Sequence, residues 1–312
     1  MTHIAMQPAS RNGWEAGSQE GPVVLATKPF NGMDAPLAVA RWLAGREERD
    51  LHVVTVLEQP NGIADAAGMP PLPMRYYEEE RVSLARELRR ALTLDGTGRD
   101  LPNVDVLDGP AAQSIVDVAR DRDARVIVIG TGKHDAIGRV IYGERALDIV
   151  TLADRPVLIV PRHAMAKSVS LAIVAVDFSP ASVRAASAAL PMLSAGSRLV
   201  LIHVRAPASE KAESSERRDF AYERECELQF KEFLRHLPTL PGVLVETRYL
   251  RGDPAATIVA IANAQAAGLI ACGRAGHSFM QRLLVGSVST AIVRHATCPV
   301  LVVPEHAADR LA

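Results

Sequence analysis

Short apolar runs alternate with longer amphipathic stretches along nearly the whole chain. The first series opens with a β-rich run at Pro22–Ala26, a helix-like segment at Asp34–Ala44 and a strand at Leu51–Leu57. A Pro/Gly-rich loop, Gln59–Pro73, leads into Met74–Leu94, where Leu84, Leu88 and Leu92 fall on one stripe at helical spacing. Val104–Leu107 reads as a strand, Ala111–Arg120 as a helix, Val126–Ile129 as a strand, Arg139–Leu152 as a helix and Val157–Val160 as a closing strand. A second series repeats the order. It has strands at Ser170–Val176, Arg198–Val204, Val243–Leu250, Leu269–Cys272 and Val300–Val303. Its helices are Ala181–Leu193, Glu213–Leu237, Ala255–Ala266 and Gln281–His295, the second with Phe230, Phe233, Leu234 and Leu237 at 3–4 spacing. The strand runs are apolar without alternation, as strands buried on both faces are. Each series therefore predicts an α/β unit: a five-stranded parallel sheet covered by helices on both sides.

The two series are copies. An offset of 143 residues carries Arg155–Pro161 (RPVLIVP) onto Cys298–Pro304 (CPVLVVP), and also Gly109 onto Gly252, Gly130 onto Gly273 and Gly143 onto Gly286. The offset grows to about 150 at the first strands, so an early loop or helix differs in length. Residues 1–20 read as a mobile extension, 21–161 as the first domain, 162–169 as an exposed linker, 170–305 as the second domain and 306–312 as a tail.

Composition narrows the function. Of 312 residues, 48% are hydrophobic and 23% charged, ordinary for a globular protein, and aromatics at 4% leave the cores to Val, Ile, Leu and Ala. A net charge of −1 supplies no basic surface for nucleic acid. Three cysteines without CxxC spacing argue against a disulfide framework or a cysteine zinc site and fit a reducing compartment. No apolar run approaches a membrane span and the N-terminus lacks a secretory pattern, so a cytoplasmic protein is expected.

Candidate chemistry centres on Gly273-Arg274-Ala275-Gly276, followed after nine residues by Gly286-Ser287. The pattern begins where a strand ends. Glycines there let backbone approach a ligand or take positive φ, and consecutive amides can cradle an anion. Gly286 and Ser287 would return the chain to the same pocket. Neither a dinucleotide fingerprint nor a Walker loop is present: Gly132-Lys133 is followed by His134, and no upstream glycine completes the motif. No spaced His/Asp/Glu cluster suggests a tight metal site, and no nucleophile elbow or paired acids suggest an enzyme.

The second copy carries Val174-Ala-Val-Asp-Phe-Ser179, Leu201-Ile-His-Val204, the glycine pattern with Val288-Ser289, and Cys298–Pro304, in that order. This resembles the ATP-binding branch of the universal stress protein family over nearly all of residues 168–305, and the first copy is similar more loosely over 21–161. The resemblance implies a Rossmann-like fold of the adenine nucleotide alpha hydrolase type in both copies. It implies that Asp177 faces the nucleoside and that the Val204 backbone contacts adenine. Gly273, Arg274, Gly276, Gly286, Ser287 and Ser289 would hold ribose and phosphates. ATP would be the ligand, with any Mg²⁺ arriving on its phosphates.

The first copy departs from this pattern. Thr27 stands for Asp177, Lys133 for Gly276 and Glu144 for Ser287, and a glutamate beside a phosphate repels it. One nucleotide site in the second copy is the expectation, with the first copy structural. For Asp177, a turn or capping role before Ser179-Pro180 is compatible with ligand binding. His203 reads as a satisfied strand histidine. The family's habit of pairing through its last strand implies an internal pseudo-dimer through Val157–Val160 and Val300–Val303, and a homodimer beyond it. Two alternatives stay open: a nucleotide-free scaffold, and a slow ATPase.

Overall fold

The computed structural model describes residues 21–28, 33–58, 74–93, 102–131, 144–164, 169–206, 215–239, 241–274 and 286–304. They fall into two compact units. One is drawn from Gly17–Arg155 and Val160–Ala166, the other from Pro156–Ile159 and Lys167–Ala312.

The N-terminal unit contains β1 (Val23–Ala26), α1 (Asp34–Arg46), β2 (Leu51–Leu57), α2 (Met74–Thr93), β3 (Asn103–Asp108), α3 (Ala111–Asp121), β4 (Val126–Gly130) and α4 (Glu144–Leu152). Its strands lie in the order β3-β2-β1-β4, each pair parallel. Every residue of β1 is buried, as the absence of polar alternation requires. The α2 stripe is confirmed in part: Leu88 and Leu92 are fully buried and Leu84 is half-buried. Each such side chain taken from water contributes about 1.5–3 kcal/mol.

The C-terminal unit begins with β5 (Val157–Val160) and continues through β6 (Val169–Ala175), α5 (Pro180–Ala189), β7 (Leu193–Arg205), α6 (Ser215–Arg235), β8 (Leu244–Arg251), α7 (Pro254–Ala264), β9 (Leu269–Arg274), α8 (Ser287–His295) and β10 (Val300–Pro304). Strands β8-β7-β6-β9-β10 are parallel, the same order as in the first unit plus its closing strand. β5 lies antiparallel on β10, with Ile159 opposite Val300 and Val157 opposite Val302. The closing strand of the first repeat is thus grouped, by its contacts, with the second.

Two elements differ from the pattern-based expectation. The helix expected over Ala181–Leu193 stops at Ala189 and passes into a 3₁₀ turn, Leu190–Met192. Pro191 explains this, since it has no amide hydrogen for the helix ladder. β7 then starts at Leu193, five residues earlier than the apolar run suggested, with a register irregularity opposite β6. Of the helix expected over Gln281–His295, Ser287–His295 is described, with an extended Gly286 (φ −54°, ψ 147°) as its N-cap; residues 281–285 lie outside the described residues. The corresponding α4 is described from Glu144 onward, and the earlier part of the segment expected at Arg139–Leu152 lies outside the described residues.

Candidate functional site

In the C-terminal unit the chain steps from β6 to β7 and β8 on one side, then returns to lay β9 and β10 on the other. The carboxyl ends of β6 and β9 therefore flank the point where strand order reverses, the place where open parallel sheets leave a crevice for ligands. Four of the sequence-predicted positions, Asp177, Val204, Gly273 and Arg274, sit at or just beyond the ends of β6, β7 and β9. Gly286, Ser287 and Ser289 form the start of α8. Gly276 lies outside the described residues.

Asp177 is exposed, two residues past β6. Its Oδ1 accepts hydrogen bonds from the Ser179 amide (3.0 Å) and the Ser179 hydroxyl (2.5 Å). Ser179 is in turn the N-cap of α5, its Oγ accepting from the Ser182 amide at 3.3 Å, with Pro180 at the first helical position. Asp177 thus shapes the turn into α5, and its carboxylate still faces solvent. The Asp177 charge also reaches β9: together with the larger effect of burial it helps push the Cys272 thiol up to about 12. Between Asp177 and Ser179, Phe178 has φ 63°, a left-handed conformation that a bulky side chain rarely adopts.

Val204 has a buried side chain, so only its backbone can meet a ligand. The register settles which way that backbone points. The β6–β7 pairing ends at Ala175 opposite Ile202, with a last bond from the Val176 amide to the Ile202 carbonyl (2.9 Å). Strand groups alternate sides, so the N–H and C=O of Val204, two residues on, also face the β6 side, just past the point where β6 turns away. The Arg205 carbonyl accepts from the Gly252 amide on the opposite, β8 side, consistent with this alternation.

Gly273 and Gly286 owe nothing to positive φ; neither adopts it. A Cβ at Gly273 would come within 2.7 Å of the Ala181 Cβ and 2.8 Å of its carbonyl carbon. The glycine is required because the first turn of α5 packs directly on β9, the close helix–strand approach that only hydrogen permits. Arg274, expected to help hold ribose and phosphates, is buried as the last residue of β9 and engaged within the protein. Ser289 is also buried, and its hydroxyl donates to the Gly286 carbonyl at 3.0 Å, which turns it toward its own helix rather than the crevice. Ser287 is exposed. α8 has no side-chain cap and no acidic residue in its first turn. Its amide end is therefore suited to an anion, since it carries partial positive charge without a competing carboxylate. No group of His, Cys, Asp and Glu suited to a metal occurs among the described residues.

Four of the few aromatic residues gather beside the strand ends, beneath α6, around His203. Phe178 packs at a tilt against His203 (ring centroids 4.7 Å) and meets Phe230 edge-on (5.0 Å). Tyr249 lies nearly parallel to the His203 ring at 6.2 Å, and the Arg205 guanidinium sits 4.3 Å over Tyr222. His203 Nδ1 is 2.7 Å from the Val176 carbonyl and Nε2 is 3.0 Å from the Tyr222 hydroxyl. The histidine is satisfied, as the sequence suggested. The aromatic surroundings were not anticipated, because they come from three separate segments, the end of β6, α6 and β8, with no common spacing.

The first repeat is chemically different at the corresponding place, and the register corrects one residue assignment. Ala26 pairs with Val54 and Ile129 as Ala175 pairs with Ile202 and Cys272. Thr27, whose amide bonds the Val54 carbonyl, therefore matches Val176, and Lys28 rather than Thr27 stands where Asp177 does. Lys28 pairs with Glu58 at 3.8 Å, and Glu58 also takes Arg145, from the first turn of α4, at 2.8 Å. A cation replaces the acid, and an internal carboxylate sits among the groups beyond the strand ends. Lys133 and the side chain of Glu144 lie outside the described residues.

Comparison with known proteins agrees with this architecture. The universal stress protein family model matches residues 21–161 and again 172–304. A universal stress protein of Mycolicibacterium smegmatis is 26% identical over 276 residues, covering 85% of this chain and 92% of the relative. One from Mycobacterium tuberculosis is 26% identical over 292 residues, covering 87% and 95%. Among solved structures, a putative universal stress protein from Pseudomonas aeruginosa superposes with TM-score 0.58 at 16% identity over 92% of this chain and 94% of its own. A universal stress protein from Archaeoglobus fulgidus gives 0.57 at 18%, over 93% and 98%. At these identities the structures speak to fold alone. With a family match over both repeats, this chain belongs to the universal stress protein family, as a tandem member with two copies of its domain. Among the described residues, no helix is long and apolar enough to cross a membrane.

Proposed function

We propose that this protein binds one adenine nucleotide, ATP or a close relative, in the second domain (170–305), with the first domain (21–161) structural, and that the nucleotide state governs a cytoplasmic stress response. The observation that carries the reading is the convergence at one strand-reversal point: an exposed carboxylate at Asp177, a backbone edge at Val204 and an uncapped, acid-free helix start at Gly286-Ser287. A carboxylate accepts from ribose hydroxyls, a backbone N–H and C=O read an adenine edge, and helix amides with a serine hydroxyl receive phosphate. In the first domain Lys28, Glu58 and Arg145 satisfy one another at the equivalent place. Nucleotide-dependent behaviour would then follow from differential affinity of two states for the ligand.

The test is mass spectrometry of ligand released from freshly purified, denatured protein, with calorimetric titration of ATP into the stripped chain. One adenine nucleotide per chain supports the reading. Two per chain would show that the first domain also binds. Neither ligand nor heat would favour a second reading, a nucleotide-free assembly protein. The antiparallel β5–β10 pair supports that alternative, since it shows the closing strands in use as pairing edges.

A further inference from the structure

We propose that β8 is a docking edge for a second copy of this chain, two C-terminal units joining there as an antiparallel β8–β8 pair centred on Thr247. The inference stands apart from the nucleotide reading above and fails or holds independently of it.

The closing strand β10 has β9 on one side and β5 on the other, so it offers no edge. β8 is different. It pairs with β7 along Leu244–Arg251, and among the described residues no strand lies on its outer side. The strand contains neither proline nor a register irregularity, two of the devices that blunt an open edge. The bond from the Gly252 amide to the Arg205 carbonyl fixes its phase. Main-chain groups alternate sides residue by residue. Those of Leu244, Glu246, Arg248 and Leu250 therefore face β7, and the N–H and C=O groups of Val245, Thr247, Tyr249 and Arg251 point outward. An outward row of this kind is a template for another strand.

The side chains select a second β8 as that strand. With Thr247 opposite the partner's Thr247, Val245 meets the partner's Tyr249, and these outward-facing pairs exchange both main-chain bonds. Between them fall the closer, non-bonded pairs: Glu246 against the partner's Arg248, and Leu244 against the partner's Leu250. Leu244, exposed at 38%, gains an apolar neighbour. Within one chain Glu246 already accepts from Arg198 and Arg248, yet Arg248 Nε is buried with no hydrogen-bond partner among the described residues. The facing carboxylate supplies an acceptor beside it. Outward groups must meet outward groups, so the neighbouring registers slide one strand by two residues. One sets Glu246 against Glu246 and the other Arg248 against Arg248, and like charges directly opposite are destabilising. The corresponding edge of the first repeat, β3, lacks this self-complementarity. Its charged residues, Asp105 and Asp108, are both acidic, so no register of β3 on itself sets acid against base.

Sedimentation equilibrium of the full chain over a wide concentration range should show a monomer–dimer equilibrium. Thr247→Pro removes an outward amide that β7 does not use and places a ring at the centre of the edge. It should weaken dimerisation at least about tenfold while the far-UV circular dichroism stays that of the parent. Two cysteine variants leave the β7–β8 ladder untouched and decide the matter even where proline is not tolerated. Thr247→Cys places two thiols on directly opposite residues, with Cα atoms about 5.5 Å apart, and should form a disulfide-linked dimer under mild oxidation. Val245→Cys places them four residues apart along the pair, roughly 13 Å, and should not. The parent chain under the same oxidant gives the background from Cys226, Cys272 and Cys298. A parent that stays monomeric throughout overturns the proposal, as does a folded Thr247→Pro that dimerises as tightly as the parent. So does the absence of a linked dimer from Thr247→Cys, or equal linkage from Val245→Cys, which would place the contact in another register.

Discussion

Gly273→Ala is the substitution whose consequence the structure determines most closely. The new Cβ would lie 2.7 Å from the Ala181 Cβ, 2.8 Å from the Ala181 carbonyl carbon and 3.0 Å from its oxygen. Two of these three atoms are backbone, so no rotamer change relieves the contact. Either β9 or the first turn of α5 must move. β9 is hydrogen-bonded on both sides, to β6 and β10, so α5 is the element that yields. Overpacking of this kind costs about 1–3 kcal/mol. For a unit of this size that is a fall of roughly 3–10 °C in unfolding midpoint. The shift would be read by calorimetric thermal unfolding of the full chain, following the transition of the C-terminal unit. Because α5 begins at Pro180, directly after the Asp177–Ser179 turn, its displacement should weaken nucleotide binding together with stability. A binding loss at Gly273 is then no proof of a ligand contact. A variant that unfolds within about 1 °C of the parent would refute the packing argument.

Three further outcomes follow from the geometry. Burial lowers the pKa of His52 from its ordinary value of 6.5, against the opposing pull of the Asp105 carboxylate 2.8 Å away. Its contribution to stability is therefore complete above pH 6.5 and is lost as pH falls through the lower folded value, so the urea midpoint of the N-terminal unit should drop on acidification, and His52→Gln should flatten that dependence. Asp253→Ala removes the cap whose Oδ1 accepts from the Ala256 amide at 2.7 Å, and should cost about 1 kcal/mol by chemical denaturation. With its thiol pushed up to about 12 by burial, Cys272 should resist alkylation in the native chain at pH 8 and react only after unfolding; modification of the folded protein would contradict its placement.

Much of this protein is legible in one dimension because its interior is aliphatic and its repeat is close. Apolar runs such as Val126–Ile129 and Leu269–Cys272 have no polar face, and that alone requires helices on both sides of a sheet. Helix interiors were equally readable, but their ends were not. Pro191 terminates a helix inside a stretch whose hydrophobic spacing continues past it. The candidate site residues were legible only as residue types. Gly273, expected to let backbone approach a ligand, also has a packing reason to be glycine, and Arg274 and Ser289, expected to meet phosphates, are buried, facts that depend on where α5, α8 and β9 pack.

The sequence by itself determined the duplication, the α/β class, the aliphatic cores and the chemical difference between the repeats, since all of these depend on residue type and spacing along the chain. What only the tertiary structure decided depends on pairing between segments far apart in sequence. Strand register moved the counterpart of Asp177 from Thr27 to Lys28, a shift of one residue that no motif comparison resolved because the repeats differ in length just beyond β1. Contacts placed β5 beside β10, and so with the second unit rather than the first. The environment of His203 likewise draws on the end of β6, on α6 and on β8, and it exists only once the chain has folded to bring them together.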